Sequence, residues 1–142
     1  MNPVIHLRRV YEEPLKTDGS RVLVDRLWPR GQSRDRLQLD EWYRDASPSG
    51  GLRRRWHERK LSWEEFVTAY TEELDHDPAV LLPLMRYARL GPVTLLSAVR
   101  DLDHSHMPVL RDVLLEALRE EDRLVDRDGL SSPPCLAEYI SR

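Results

Sequence analysis

Two groups of charged and aromatic side chains follow short apolar runs in this chain. The apolar runs are Val22–Val24 and Val93–Leu96. The side chains that could take part in chemistry are Asp25, Arg26, Trp28 and Arg30 after the first run, and Arg100, Asp101, His104 and His106 after the second. Arginine binds phosphate or carboxylate through paired hydrogen bonds, and a carboxylate or an imidazole can move protons. These residue types predict a site for a small anionic ligand, with phosphorylated compounds among the candidates.

The expected role of each side chain follows from its chemistry. Arg26, Arg30 and Arg100 would bind the anion. Asp25 and His106 would transfer protons if the site belongs to a hydrolase- or transferase-type enzyme. The sequence identifies no cofactor: it contains no GxGxxG motif and no Walker-type loop that would hold a nucleotide. It also has no GxSxG motif, so no serine nucleophile is recognisable.

Trp28 and Asp101 complete the set of candidate ligand-binding residues. Trp28 could stack on the ligand or cover the edge of the sheet. Asp25 and Asp101 could orient the arginines or act as a general base, and Asp25 could instead form only a structural ion pair with Arg26. The pair Ser105–His106 precedes a predicted helix, whose free N-terminal amides and partial positive charge favour an anion.

Two alternative functions rest on other features of the chain. Basic residues concentrate in 53–60, which could serve a non-catalytic module that contacts nucleic acid or a protein. Nucleic acid is not the favoured partner, because the whole chain lacks a strongly basic balance. His104 and His106 are suitable ligands for a metal ion, although their spacing matches no CxxC or HExxH motif.

The apolar runs also predict the fold that positions these residues. Uninterrupted runs of this length are typical of strands buried on both faces of a parallel sheet, and ligands of such sheets bind beyond the carboxyl ends of the strands. The predicted strands are Val4–Tyr11, Val22–Arg26 and Val93–Leu96. We therefore expect a small three-layer α/β domain with a three- or four-stranded, mostly parallel sheet flanked by four or five helices.

Helical patterns occupy most of the remaining chain. They predict helices at Asp40–Ala46, Leu52–Arg59, Trp63–Leu74 and Met107–Glu121, and one that begins after Asp77, is kinked or restarted at Pro83, and ends at Gly91–Pro92. Ser62 and Glu65 have the spacing of a capping box at the start of the helix Trp63–Leu74.

The length of 142 residues suits one domain, which we place at 1–121 with a C-terminal arm at 122–142. Leu136, Tyr139 and Ile140 could pack the arm on the domain or across a homodimer interface. The single Cys135 excludes an internal disulfide and fits the cytoplasm. No run approaches the ~20 apolar residues that a membrane span needs.

Charge is unevenly distributed along the chain. Residues 1–60 hold 14 Lys and Arg against 9 Asp and Glu, and residues 61–142 hold 8 against 16. A polarised surface of this kind could attract an anionic ligand or an oppositely charged patch of a second copy.

Five stretches follow one another in a characteristic order: RRVYEEP, DGSRVLVDRLWPRG, LDEWYRDASPSGGLRRRW, WEEFVTAYTEEL and GPVTLLSAVRDLDHSHMPVL. They resemble the YeaO-like family, a branch of domain of unknown function 488, over roughly residues 3–118. The resemblance implies a small bacterial cytoplasmic α/β protein and no particular reaction. The family usually has Asn-His before the last helix, whereas this chain has Ser105 and His106. The histidine therefore carries over and the asparagine does not.

Overall fold

The computed structural model of the chain describes residues 2–128. The strands within this range are β1 (Ile5–Arg9), β2 (Ser20–Leu23), β3 (Glu41–Trp42) and β4 (Val93–Ser97). The helices are α1 (Arg34–Leu37), α2 (Gly50–His57), α3 (Trp63–His76), α4 (Leu82–Leu90) and α5 (His106–Asp128). The strands form one parallel sheet in the order β1-β4-β2-β3. This arrangement confirms the predicted α/β fold.

The central strands β2 and β4 are buried on both faces, and neighbouring side chains of each strand point to opposite faces. Val22 and Leu95 lie in the larger apolar cluster, to which α2, α3, α4 and α5 also contribute. Leu23 and Leu96 lie in a second, smaller cluster with Leu37 of α1. The sheet therefore has a thick helical layer on one face and a thin cover on the other.

The predicted start of α3 is confirmed. Ser62 Oγ accepts from the Glu65 amide at 3.1 Å, while Glu65 Oε1 accepts from the Ser62 amide at 2.8 Å. Each side chain thus satisfies a backbone donor that the first turn of the helix leaves without an intrahelical acceptor. Pro83 also acts as predicted, since a short 3-10 turn at Pro78–Leu81 precedes α4 and the regular helix restarts at Leu82.

The predicted helix at Asp40–Ala46 is wrong. Residues Glu41–Trp42 form β3, which pairs in parallel with β2. The edge of β2 offers backbone groups that need partners, and the amides of Asp40 and Tyr43 donate to the Arg21 and Leu23 carbonyls at 2.8 Å. This pairing outweighs the weak local preference for a helix. The one-turn helix α1, capped by Ser33, was not predicted.

The last helix is longer than predicted. It continues past Glu121 to Asp128, so the proposed boundary between residues 121 and 122 falls inside α5. The end of the predicted arm, with its expected homodimer contacts, lies outside the described residues. Within 2–128, none of the helices is both long and apolar enough to cross a membrane.

Candidate functional site

One cavity of about 510 Å³ lies beyond the carboxyl ends of the strands. All eight side chains selected from the sequence line it: Asp25, Arg26, Trp28, Arg30, Arg100, Asp101, His104 and His106. They come together because β2 and β4 are adjacent and parallel, with Val22 opposite Leu95. The chain segments that follow these two strands therefore leave the sheet side by side at the same edge.

Asp25 joins the ends of the two central strands. Its Oδ1 accepts from the Ser97 hydroxyl at 2.6 Å, and its Oδ2 accepts from the Ala98 amide at 2.7 Å. The expected pairing of Asp25 with an arginine is absent among residues 2–128, because these neutral donors of β4 and its following turn occupy the carboxylate. Asp25 is therefore a structural anchor of the cavity wall.

His106 lies beside Asp25 at the start of α5. Its Nε2 is 3.3 Å from Asp25 Oδ1, but the two groups are not aligned for a hydrogen bond, and Nε2 is a buried atom without a hydrogen-bond partner in the described chain. The side chain is 10% exposed. A buried polar atom of this kind normally has a partner. His106 thus borders the cavity with a ring whose Nε2 is shielded from solvent and has no hydrogen-bond partner in the described chain.

Four arginines line the cavity: Arg26, Arg30, Arg53 and Arg100. None of them has a carboxylate partner within residues 2–128. Arg26 has one weak contact, in which Nη2 donates to the Pro48 carbonyl at 3.3 Å. The two lining carboxylates, Asp25 and Asp101, are occupied by other groups. The cavity therefore carries an excess of uncompensated positive charge.

Helix α2 contributes side chains that sequence reasoning assigned to an outer basic surface. Arg53, Trp56 and His57 line the cavity, whereas Arg54 does not. Their spacing of three and four residues places them on one face of a helix. This spacing was a signal in the sequence, but only the packing of Trp56 on Phe66 of α3, at 4.9 Å between ring centroids, decides which way the face points.

Trp28 is fixed in place by the protein as well as facing the cavity. Its indole Nε1 donates to the Gln32 carbonyl at 2.7 Å, and its ring packs edge-to-face on Trp42 at 5.3 Å. The Arg34 guanidinium lies over the ring, 5.2 Å from its centroid. Trp28 therefore packs against β3 at the edge of the sheet, which is one of the two alternatives that the sequence left open. It also forms part of the cavity wall.

Asp101 and His104 form an exposed pair. His104 Nδ1 lies 2.9 Å from Asp101 Oδ2, and this hydrogen bond lowers the pKa of Asp101. Asp101 Oδ1 accepts from the Asp103 amide at 3.1 Å, which fixes the short 3-10 turn at Leu102–His104. Asp101 therefore does not orient an arginine. Among the described residues, no three His, Cys, Asp or Glu side chains are grouped to hold a metal ion.

The N-terminus of α5 offers fewer free amides than the sequence suggested. The Met107 amide donates to Ser105 Oγ at 3.1 Å, and Pro108 has no amide proton. The partial positive charge of the helix end still faces the cavity. Binding of an anion would therefore depend more on arginine side chains than on a cradle of backbone donors.

Asp25→Asn should destabilise the folded chain by about 1–3 kcal/mol, because one carboxylate oxygen is replaced by an NH2 group facing a buried donor. Urea denaturation measures the difference. Asp101→Asn is the matched control, since this carboxylate is exposed and its loss should change stability little. Equal effects of the two substitutions would contradict the anchoring role of Asp25.

Comparisons with known proteins place the chain in a family. The family model described as "Inactive DUF488-N3 subclade" matches residues 4–137, so the match extends into the predicted arm. Uncharacterized protein Rv3073c of Mycobacterium tuberculosis (strain ATCC 25618 / H37Rv) is 39% identical over 110 residues, which cover 78% of this chain and 92% of the relative.

Uncharacterized protein YeaO of Escherichia coli (strain K12) is 37% identical over 110 residues, which cover 78% of this chain and 96% of YeaO. No solved structure matches the chain significantly. The match of the family model and the identity to YeaO agree with the resemblance found in the sequence. The chain therefore belongs to the YeaO-like DUF488 family, in the subclade described as inactive.

Proposed function

We propose that this protein is a cytoplasmic binding module that holds a small organic anion in the cavity without converting it. The observation that carries the proposal is the set of four arginines around one cavity, none with a carboxylate partner in residues 2–128. Cations gathered in a concave site repel one another, and an anion would relieve that repulsion while accepting paired hydrogen bonds from guanidinium groups.

The hydroxyl and carboxylate groups in and behind the cavity wall support binding over catalysis. The Ser97 hydroxyl donates to Asp25, and the Ser105 hydroxyl donates to the Leu102 carbonyl at 2.8 Å. Ser105 therefore faces no base, and Ser97, although it contacts the Asp25 carboxylate, is fully buried and does not line the cavity, so neither hydroxyl can attack a bound ligand. Asp25 is committed to Ser97 and Ala98, so it lacks the free geometry of a general base. The description of the family model as inactive agrees with this interpretation.

The alternative of a nucleic-acid or protein contact through residues 53–60 has less support. Arg53 and His57 line the cavity, so the basic segment does not present one continuous outer surface. Arg55 lies in a separate groove among acidic side chains that include Glu72 and Glu73. The metal alternative through His104 and His106 is likewise disfavoured, because Asp101 occupies one ring nitrogen of His104.

Phosphate should bind and stabilise the wild-type chain beyond what chloride does at equal ionic strength. Mass action gives ~2.7 kcal/mol at about a hundredfold excess over the dissociation constant. Arg100→Gln and Arg53→Gln should each weaken phosphate binding, measured by calorimetric titration and by the shift in melting temperature. Arg54→Gln is the matched control, since Arg54 neighbours Arg53 in sequence but lies outside the cavity lining.

A phosphate effect that disappears in Arg54→Gln and persists in Arg53→Gln would place the anion on the outer surface and overturn the proposal. The non-catalytic part has its own test. Phosphomonoesters incubated with the protein should release no inorganic phosphate above the uncatalysed rate. Release that is lost in His106→Ala would instead support a hydrolase.

A further inference from the structure

We infer that the ligand of this cavity carries a planar aromatic or heteroaromatic ring joined to its anionic group, as in a nucleoside monophosphate or an aryl phosphate. This inference rests on the proposed anion site and specifies its ligand class. It follows from an aromatic wall, from the size and apolar character of the cavity, and from the position of one arginine beside that wall.

The aromatic wall is the ring of Trp56 of α2, backed by Phe66 of α3; both residues line the cavity, but Phe66 is only 1% exposed, so a ligand ring would stack on Trp56. Their rings are stacked, with centroids 4.9 Å apart and planes inclined at 28°. Trp63 packs against both rings at 5.8 Å from outside the cavity, and Tyr70 packs on Phe66 at 5.9 Å. The wall is therefore rigid before any ligand arrives, and a flat ring can stack on it with little loss of side-chain freedom.

The cavity is too large and too apolar for an inorganic anion alone. Its volume of about 510 Å³ falls in the range of pockets that enclose organic small molecules. Apolar and aromatic side chains form a large part of its lining: Tyr11, Leu27, Trp28, Pro29, Pro48, Trp56, Phe66, Ala98 and Val99. An anion bound by arginines would leave much of this surface in contact with water, whereas a ring would cover it.

Arg53 and the aromatic wall are positioned to contact the same ligand molecule. Arg53 lies three residues before Trp56 on α2, so the two side chains are neighbours on the same helix face. A ring stacked on Trp56 would hold an attached phosphate within reach of Arg53. His106 lines the same cavity, so its ring borders the space that the ligand would fill.

The experiment compares phosphates with and without a ring by calorimetric titration of the intact chain. The probes are inorganic phosphate, ribose 5-phosphate, phenyl phosphate, AMP and UMP. Stacking of a base on an aromatic side chain should make at least one ring-bearing probe bind about 5- to 100-fold more tightly than ribose 5-phosphate. Tight binding of phenyl phosphate indicates recognition of the ring alone, and preference for AMP or UMP indicates recognition of a nucleotide.

Trp56→Leu tests the wall, with Trp63→Leu as its matched control. Both tryptophans pack on Phe66, but only Trp56 lines the cavity. Trp56→Leu should reduce the affinity for the ring-bearing probe to that for ribose 5-phosphate, whereas Trp63→Leu, which leaves the Trp56 ring in the cavity lining, should retain most of the difference. If Trp56→Leu fails to fold, NMR of the wild-type chain provides the test, because the probe should shift the Trp56 indole signal more than ribose 5-phosphate does.

The outcomes separate this inference from the proposed function. Equal affinities for ribose 5-phosphate and all ring-bearing probes, with no shift of the Trp56 signal, would contradict the inference that the ligand carries a ring. The proposed anion site would be unaffected by that result. Absence of binding by every phosphate tested would overturn the proposed function itself. Loss of the ring preference in Trp63→Leu but not in Trp56→Leu would place the ring outside this wall and would also overturn the inference.

Discussion

Asp18→Ala should destabilise the folded chain by about 3–5 kcal/mol, because it leaves the buried charge of Arg21 without its carboxylate. The side chains of Arg21 and Asp18 are 6% and 3% exposed, and Arg21 Nη1 donates to Asp18 Oδ2. Arg21 Nε donates to the Leu37 carbonyl at 2.9 Å, while Nη2 has no partner in the described chain. Chemical denaturation in urea measures the loss.

The reason for that loss can be checked with a double variant. Asp18→Leu combined with Arg21→Met removes both charges and keeps an apolar side chain at each position, so it should recover most of the stability lost in Asp18→Ala. Glu58→Ala is the control for an exposed pair, since Glu58 contacts Lys60 at the surface, and it should have little effect. An Asp18→Ala effect as small as that of Glu58→Ala would contradict the account.

The same pair predicts a dependence of stability on pH. Burial alone would raise the pKa of Asp18, but the Leu15 amide and the Arg21 guanidinium outweigh it and lower the pKa below the ordinary value of 3.8. The stabilisation is therefore complete above pH 3.8 and is lost as the pH falls through the lower pKa of the folded state. As the pH falls below 3.8, the unfolding free energy of the wild type should therefore decrease more than that of the double variant.

The convergence of the candidate residues on one cavity could be predicted from the sequence because it depends on two local patterns. The apolar runs Val22–Val24 and Val93–Leu96 identify buried parallel strands, and the polar residues after each run must then emerge at one edge. Adjacency of β2 and β4 brings the two groups together. The capping box of Ser62 and Glu65 was predictable for the same reason, since both partners lie within one turn.

The features that sequence reasoning missed depend on partners distant in the chain. Residues Glu41–Trp42 become a strand because β2 has a free edge, which no local pattern can reveal. Asp25 binds Ser97 and Ala98 in preference to an arginine because these donors lie on the neighbouring strand end. Packing of α2 on α3 likewise directs the Arg53 side chain towards the cavity. The sequence pattern thus indicates where candidate residues gather. The hydrogen-bond or ion-pair partner of each side chain depends on three-dimensional contacts.

Gly19→Ala should destabilise the chain by more than about 3 kcal/mol, because it combines backbone strain with a direct clash. Gly19 has a φ of 65°, and a Cβ built there would lie 1.9 Å from the Pro92 carbonyl oxygen. That carbonyl cannot move away freely, since it accepts from the Ser20 amide at 3.0 Å at the start of the pairing between β2 and β4.

Gly31→Ala separates the cost of backbone strain from the cost of the steric clash. Gly31 also has a positive φ, of 78°, but a Cβ at this position would meet no atom within 4 Å. Its cost should therefore be limited to the backbone conformation, at about 1–2 kcal/mol. Equal losses for the two variants, measured by urea denaturation, would show that the approach of Gly19 to Pro92 is not tight.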